Sequence, residues 1–174
     1  MIEFRKITWD NWEECMNLNV TEEQDDFIAS NKYSLAQSFV ALSNDELPPM
    51  TLAIYEDETM VGFMMMGYST ADESEYGEEP YYDLARFMID KKHQNKGLGK
   101  QAMIKLLEYI KTFPHGEATA VYLAYNVRND HARKFYRSLG FIETGGLYIG
   151  DDYIEAGGKY TDEDDVEVVA KLVL

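Results

Sequence analysis

Apolar residues recur along this chain with two periods, and the change of period marks out its elements. Leu98, Ala102, Met103, Leu106, Leu107 and Ile110 fall three and four apart, which predicts an amphipathic helix ending near residue 111. Directly upstream, residues 84–89 (LARFMI) read as a buried strand. Further strands are predicted at residues 2–8, 50–55, 60–68, 118–125, 141–149 and 166–173, and the polar turn 56–59 makes the second and third a hairpin. A helix at 11–18 gains an apolar side from Trp12, Cys15, Met16 and Leu18. Thr21-Glu22-Glu23-Gln24 fits a capping box for a second short helix, and Leu35, Phe39 and Leu42 are spaced for a third starting around Ser34. A last short helix opens at Asn129 or Asp130, runs to about Ser138 and exits through Gly140. Residues 70–79 read as an exposed acidic loop, and an acidic Gly-containing loop precedes the final strand.

These elements predict a mixed α/β fold in a single domain, residues 1–174. Because a long helix joins strands 84–89 and 118–125, the two should run parallel through a right-handed crossover. The sequence shows no charged-then-apolar leader and no run of eighteen apolar residues, so the expectation is a soluble, cytoplasmic protein without a membrane partner. The single Cys15 cannot form an internal disulfide, which agrees with a reducing compartment. His93, His115 and His131 lack paired ligand spacing, so no metal is expected.

Charge changes the picture. The chain carries −16 overall, yet residues 86–105 contribute +5 (Arg86, Lys91, Lys92, Lys96, Lys100 and Lys105 against Asp90) and residues 128–137 contribute +3, leaving −24 on the remainder. Basic residues gathered in a compact site on an acidic chain argue against nucleic acid, whose phosphates would be repelled elsewhere. They suit a small anionic ligand instead. Between the strand and the long helix stands QNKGLG, residues 94–99, with two glycines before a helix whose first amides lack partners. Such a terminus attracts phosphate. A P-loop is absent, since no Gly-Lys-Ser/Thr follows four residues after a Gly. Gly97-x-Gly99-x-x-Ala102 formally fits a dinucleotide fingerprint, but DKKHQNK separates the strand from the first Gly and strand 118–125 ends without an acid for a ribose.

Gln94-Asn95-Lys96-Gly97-Leu98-Gly99 resembles, position for position, the Q/R-x-x-G-x-G/A turn of the GNAT superfamily of N-acetyltransferases. A second segment thirty residues on, NVRNDHARKFYRSLGF, resembles that superfamily's other signature, an Asn, a short helix carrying a Tyr, and Leu-Gly-Phe. The resemblance covers nearly the full chain. It implies a mixed, mostly antiparallel central sheet in which parallel strands 84–89 and 118–125 splay apart to admit acetyl-CoA. It further implies cofactor contacts along Phe87, Met88 and Ile89, at Gln94, Asn95, Lys96, Gly97, Leu98, Gly99 and Lys100, and at Asn129, Ala132, Arg133 and Tyr136. Lys92, Lys96, Lys100 and Arg133 would be counter-charges for its phosphates. The implied reaction is attack of an amine on the thioester, with the amide of Met88 stabilising the oxyanion and Tyr136 protonating the departing thiolate.

Gln24-x-x-Phe27-Ile28-Ala29-Ser30-Asn31-x-x-Ser34-Leu35-Ala36-Gln37, with Arg86-Phe87-Met88-Ile89-Asp90, is similar to bacterial spermine/spermidine (diamine) acetyltransferases within the superfamily. Lys91 and Asn95 depart from it, standing where many members have Pro and Gly. The resemblance implies a polyamine acceptor, and the acids Glu22, Glu23, Asp25, Asp26, Asp72, Glu73, Glu75, Glu78 and Glu79 would concentrate cations at its mouth. Glu22, Glu23 and Asp83 are the candidates for holding or deprotonating that amine, and spacing does not choose among them. A protein amine, another aminated small molecule, or an acyl-CoA-binding module without turnover are the competing readings. Dimers are common among similar proteins, and the final strand or the loop before it would supply such a homodimer interface.

Overall fold

The computed structural model describes residues 1–44, 49–154 and 165–174, and they form two compact units. The expected acidic Gly-containing loop lies mostly outside the described residues. The first unit comprises Met1–Tyr68 and Leu84–Pro114; the second comprises Ser69–Asp83 and His115–Leu174.

In the first unit β1 (Ile2–Lys6), β2 (Met50–Glu56) and β3 (Thr59–Ser69) form an antiparallel meander, followed in the sheet by β4 (Tyr81–Ile89). The β2–β3 hairpin turns at Asp57, whose φ of 54° suits the tight connection. Met60 through Met66 are buried throughout, so this strand is covered on both faces rather than alternating. Cys15, Ala53, Tyr55, Met60, Phe63, Met65 and Met88 form one core cluster, with Leu18, Val20, Ile28 and Leu35 packed on its rim. The helix α4 (Leu98–Ile110) buries Leu98, Ala102, Met103, Leu106 and Ile110, the stripe its periodicity predicts. Fully burying each of the larger ones is worth about 1.5–3 kcal/mol.

α1 (Trp12–Asn17) and α2 (Glu22–Asp25) fall where the sequence places them, and α2 has the Thr21/Gln24 capping box. α3 (Asn31–Ser43) differs. It starts three residues before the predicted position because Ser30 caps it, accepting from the Tyr33 amide. Its fully buried residues are polar: Asn31 donates to the Cys15 carbonyl at 2.8 Å and Ser34 to the Ser30 carbonyl at 3.0 Å. Phe39 and Leu42, expected to be inward, are 68% and 58% exposed. Satisfied polar groups thus share this contact with Leu35, the one member of the predicted stripe that packs on the core cluster.

In the second unit the order is β4, β5 (Ala120–Asn126), β8 (Val166–Val173), β6 (Ile142–Ile149), β7 (Asp152–Ile154), with α5 (Asp130–Ser138) following β5. β8 lies antiparallel between β5 and β6. The only parallel pairing among the described residues joins Tyr81, Tyr82 and Asp83 to Ala120, Val121 and Tyr122. The strand therefore begins three residues before the predicted 84–89, and the portion paired with β5 precedes that range. β7 is an addition that three residues of ambiguous pattern did not announce.

Candidate active site

In the first unit the end of β4 and the turn after it are shaped for an anion. Gly97 takes φ 78° at the N-cap of α4, and Asn95 takes φ 61°. The first backbone bond of the helix runs from the Gln101 amide to the Gly97 carbonyl at 3.2 Å. The amides of Leu98, Gly99 and Lys100 consequently have no acceptor among the described residues. Lys91, Lys92, Lys96 and Lys100 are exposed around them, and Lys96 folds back on the Lys92 carbonyl at 3.1 Å. Uncapped amides, a left-handed glycine and surplus positive charge fit the diphosphate of coenzyme A.

The direction of β4's backbone amides is legible too. The Asp90 amide donates to the Val61 carbonyl on β3 at 2.8 Å. Amides alternate along an extended strand, so Met88 faces β3 as well, while Phe87 and Ile89 face the other edge. Gly62 explains how β3 approaches so closely: a Cβ there would collide with the Met88 carbonyl oxygen. Neither the edge nor this glycine can be recognised from residue type.

Buried Asp90 anchors the turn, accepting from the amides of Asn19 at 2.9 Å and Lys92 at 3.1 Å. Gln94 uses both amide hydrogens, one on the Ile89 carbonyl at 2.9 Å and one on Oε1 of Gln24 at 2.8 Å. Gln24 thereby brings the exposed Glu22 and Glu23 of α2 into the same unit as the turn. The Glu23 carboxyl is held below its usual range by its own backbone amide and the Thr21 hydroxyl.

The second unit holds the remaining predicted residues. Asn129 is the N-cap of α5, its Oδ1 accepting from the Ala132 amide at 3.0 Å. Arg133 pairs with Glu143 at 3.1 Å and Asp130 at 3.3 Å, so its charge is already matched by carboxylates. Tyr136 is half-buried against Tyr125, Phe135 and Phe141, and its hydroxyl makes no hydrogen bond among the described residues. Burial, reinforced by Tyr125, pushes its pKa well above that of a free phenol. This is a phenol that stays protonated.

Asp83 stands opposite Tyr122 at the last parallel pair of β4 and β5. Beside it the sequence reading missed a cluster of tyrosines. Tyr76, on the loop expected to be wholly exposed, stacks on Tyr122 at 4.3 Å and meets Tyr81 at 5.0 Å and Tyr153 at 5.3 Å. The Tyr76 hydroxyl bonds the Tyr148 hydroxyl at 2.6 Å, which donates to Glu75 at 2.7 Å. A cavity of about 440 Å³ opens beside Tyr76 and Tyr122, lined also by Glu78, Glu79 and Lys171. Thirteen tyrosines in the composition were the available signal, but their spacing follows no single period.

The model of the Acetyltransferase (GNAT) family matches residues 3–141, a stretch that contains the glycine turn and Tyr136. The chain belongs to this GNAT family. It is an acetyl-CoA-dependent N-acetyltransferase. A protein of Bacillus subtilis subsp. natto named probable spermine N(1)-acetyltransferase is 31% identical over 147 residues, 84% of this chain and 91% of that relative. Among solved structures, the spermidine N-acetyltransferase of Vibrio cholerae in complex with CoA and spermine superposes with a TM-score of 0.66 at 16% identity, over 99% of this chain and 95% of that one. The aminoglycoside N(6')acetyltransferase of Legionella pneumophila gives 0.67 at 14% identity, over 99% and 91%. At such identities these structures share the fold, and the fold serves very different amines. Among the described residues no helix is long and apolar enough to cross a membrane.

Proposed function

We propose that this acetyltransferase acts on a primary amine of a polyamine such as spermidine or spermine, in the cytoplasm, and that both units form one catalytic domain. The observation that carries the acceptor class is the 31% identity to the protein named probable spermine N(1)-acetyltransferase. Charge supports it: outside the two basic segments the chain carries −24, a field that gathers polycations. So does chemistry, since Glu75 and Asp83 beside a tyrosine cluster suit ammonium groups, which bind both carboxylates and aromatic faces.

Acetyl-CoA supplies an activated thioester. The amides of Leu98, Gly99 and Lys100, with Lys92, Lys96 and Lys100, hold its diphosphate. Gln94 positions the turn, Asn129 and Ala132 start the helix that carries Tyr136, and Phe87 and Ile89 line the bound chain. A backbone amide of β4 stabilises negative charge on the carbonyl oxygen as the C–N bond forms. Tyr136 gives its hydroxyl proton to the departing thiolate as the C–S bond breaks. Acid catalysis of this kind is worth about 10²–10⁴ in rate. Glu22, Glu23 and Asp83 bind the acceptor's ammonium groups, and one of them takes the proton the attacking nitrogen loses. The test is CoA release from acetyl-CoA with spermidine, spermine, putrescine and a lysine peptide. Spermidine and spermine should react fastest; turnover with the peptide alone would overturn the polyamine assignment and leave the family assignment standing.

A further inference from the structure

The hydrogen bond between Gln94 and Gln24 joins two parts of the molecule that have different tasks. Gln94 opens the turn that holds phosphate. Gln24 closes the first turn of α2, one and two residues after Glu23 and Glu22. The bond is 2.8 Å long and half-buried, and Gln94's second amide hydrogen is fixed on the Ile89 carbonyl at the end of β4. Gln24 Oε1 also accepts from the Thr21 amide at 3.4 Å, so one oxygen serves both the α2 cap and the turn.

This link does not stand alone. The Lys91 amide donates to the Asn19 carbonyl at 2.8 Å, while the Asn19 amide donates to Asp90 at 2.9 Å. Leu18, Val20 and Ile28 pack on the core cluster that contains Met88 of β4. The chain on both sides of α2 is therefore bound to the strand and turn, and Gln24 is the contact from α2 itself.

We infer that Gln24 is a positioning residue that couples the two substrates, so that filling the phosphate turn raises the affinity of α2's carboxylates for the acceptor amine. An anion on the amides of Leu98–Lys100 immobilises the turn and, through Gln94, the side chain of Gln24. Less conformational freedom then remains to be lost when an ammonium group settles on Glu22 or Glu23. By linkage the effect is reciprocal: the amine must tighten the nucleotide by the same factor. The inference rests on the proposed polyamine acceptor and adds the residue that links its site to the coenzyme.

CoA keeps the diphosphate but has no acetyl group to transfer, so both ligands can be present without turnover. Calorimetric titration of CoA, with and without saturating spermidine, gives the coupling factor directly. The full-length protein should bind CoA about fivefold more tightly with spermidine present, within the usual span of such couplings. Gln24→Leu removes the shared acceptor and should bring the factor to about 1. Gln24→Glu restores an acceptor oxygen and should recover it, whatever its added charge does to absolute affinity. A merely structural role for Gln24 would lower the melting temperature without changing the factor. If Gln24→Leu fails to fold, Gln24→Glu decides: a factor near 1 in that folded variant overturns the inference, as does a factor of 1 in the unaltered protein or an undiminished one in Gln24→Leu. Absence of any CoA heat in the unaltered protein would instead remove the coenzyme site beneath it.

Discussion

The ring of Tyr136 lies 5.8 Å from that of Tyr125 and 24° from parallel. Tyr125 in turn bonds Glu143 at 2.8 Å, so the ring that supports Tyr136 is fixed by a carboxylate that Arg133 also holds. The two phenols differ in what their oxygens do. Tyr125 is spent on structure, whereas Tyr136 keeps a proton with no acceptor among the described residues. Replacing Tyr136 by Phe keeps the stacking and removes only the hydroxyl. We expect kcat to fall well over tenfold with CoA affinity nearly unchanged, measured by steady-state kinetics and calorimetry; an unaltered kcat would remove this residue from catalysis.

The pH profile follows from the same burial. Because the Tyr136 pKa lies above that of a free phenol, about 10, the acid form persists through the ordinary range. Its loss should therefore impose no alkaline limb on kcat below about pH 10. A fall centred near pH 8 that Tyr136→Phe abolishes would contradict this assignment.

Gly62 is a test of the strand rather than of the chemistry. A Cβ at this position meets backbone, which cannot swing aside. Gly62→Ala should destabilise the protein by about 1–3 kcal/mol, as overpacking does, and weaken CoA binding through the displaced β4. Denaturant unfolding and calorimetry would show both; wild-type values for each would mean β3 can move without disturbing β4.

Cys15 is fully buried, and burial, with a smaller contribution from Glu14, pushes its thiol up to about 12. It should resist thiol reagents at neutral pH and react at once in denaturant. The sign of the linkage is fixed: the folded thiol keeps a proton that the unfolded one loses, so this group lowers stability as pH rises from about 8.5 toward that value. Rapid labelling of the native protein would show that the core around Cys15 opens readily.

Tyr148→Phe would deprive Glu75 of a donor and Tyr76 of an acceptor. A loss of about 0.5–1.5 kcal/mol is expected, with a raised KM for spermidine if the cluster meets the amine. An unchanged KM would confine it to structure.

The long helix, the hairpin, the final strand and the glycine turn were legible because each is a local pattern: period, turn chemistry, or glycines before an apolar stripe. Asn129 as a cap and Gly140 as an exit, with φ 96°, were legible for the same reason. α3 was misread on its face because Asn31 and Ser34 are buried through bonds to distant or preceding carbonyls, which no periodicity encodes. The parallel run of β4 and β5 was legible from the helix between them, but not that residues 81–83 carry it, because Tyr81 and Tyr82 look like the end of an acidic loop and their partners lie almost forty residues away. The edge that each β4 amide faces was hidden for a related reason. Which edge an amide faces depends on register, and one residue of shift reverses it.

The place of β8 sets the timetable for making this protein. The ribosome delivers β5 and β6 while the gap between them is still empty, and only the segment Val166–Val173 can fill it. Until then both neighbours expose unpaired backbone, so a chain stalled or truncated before Val166 presents sticky edges.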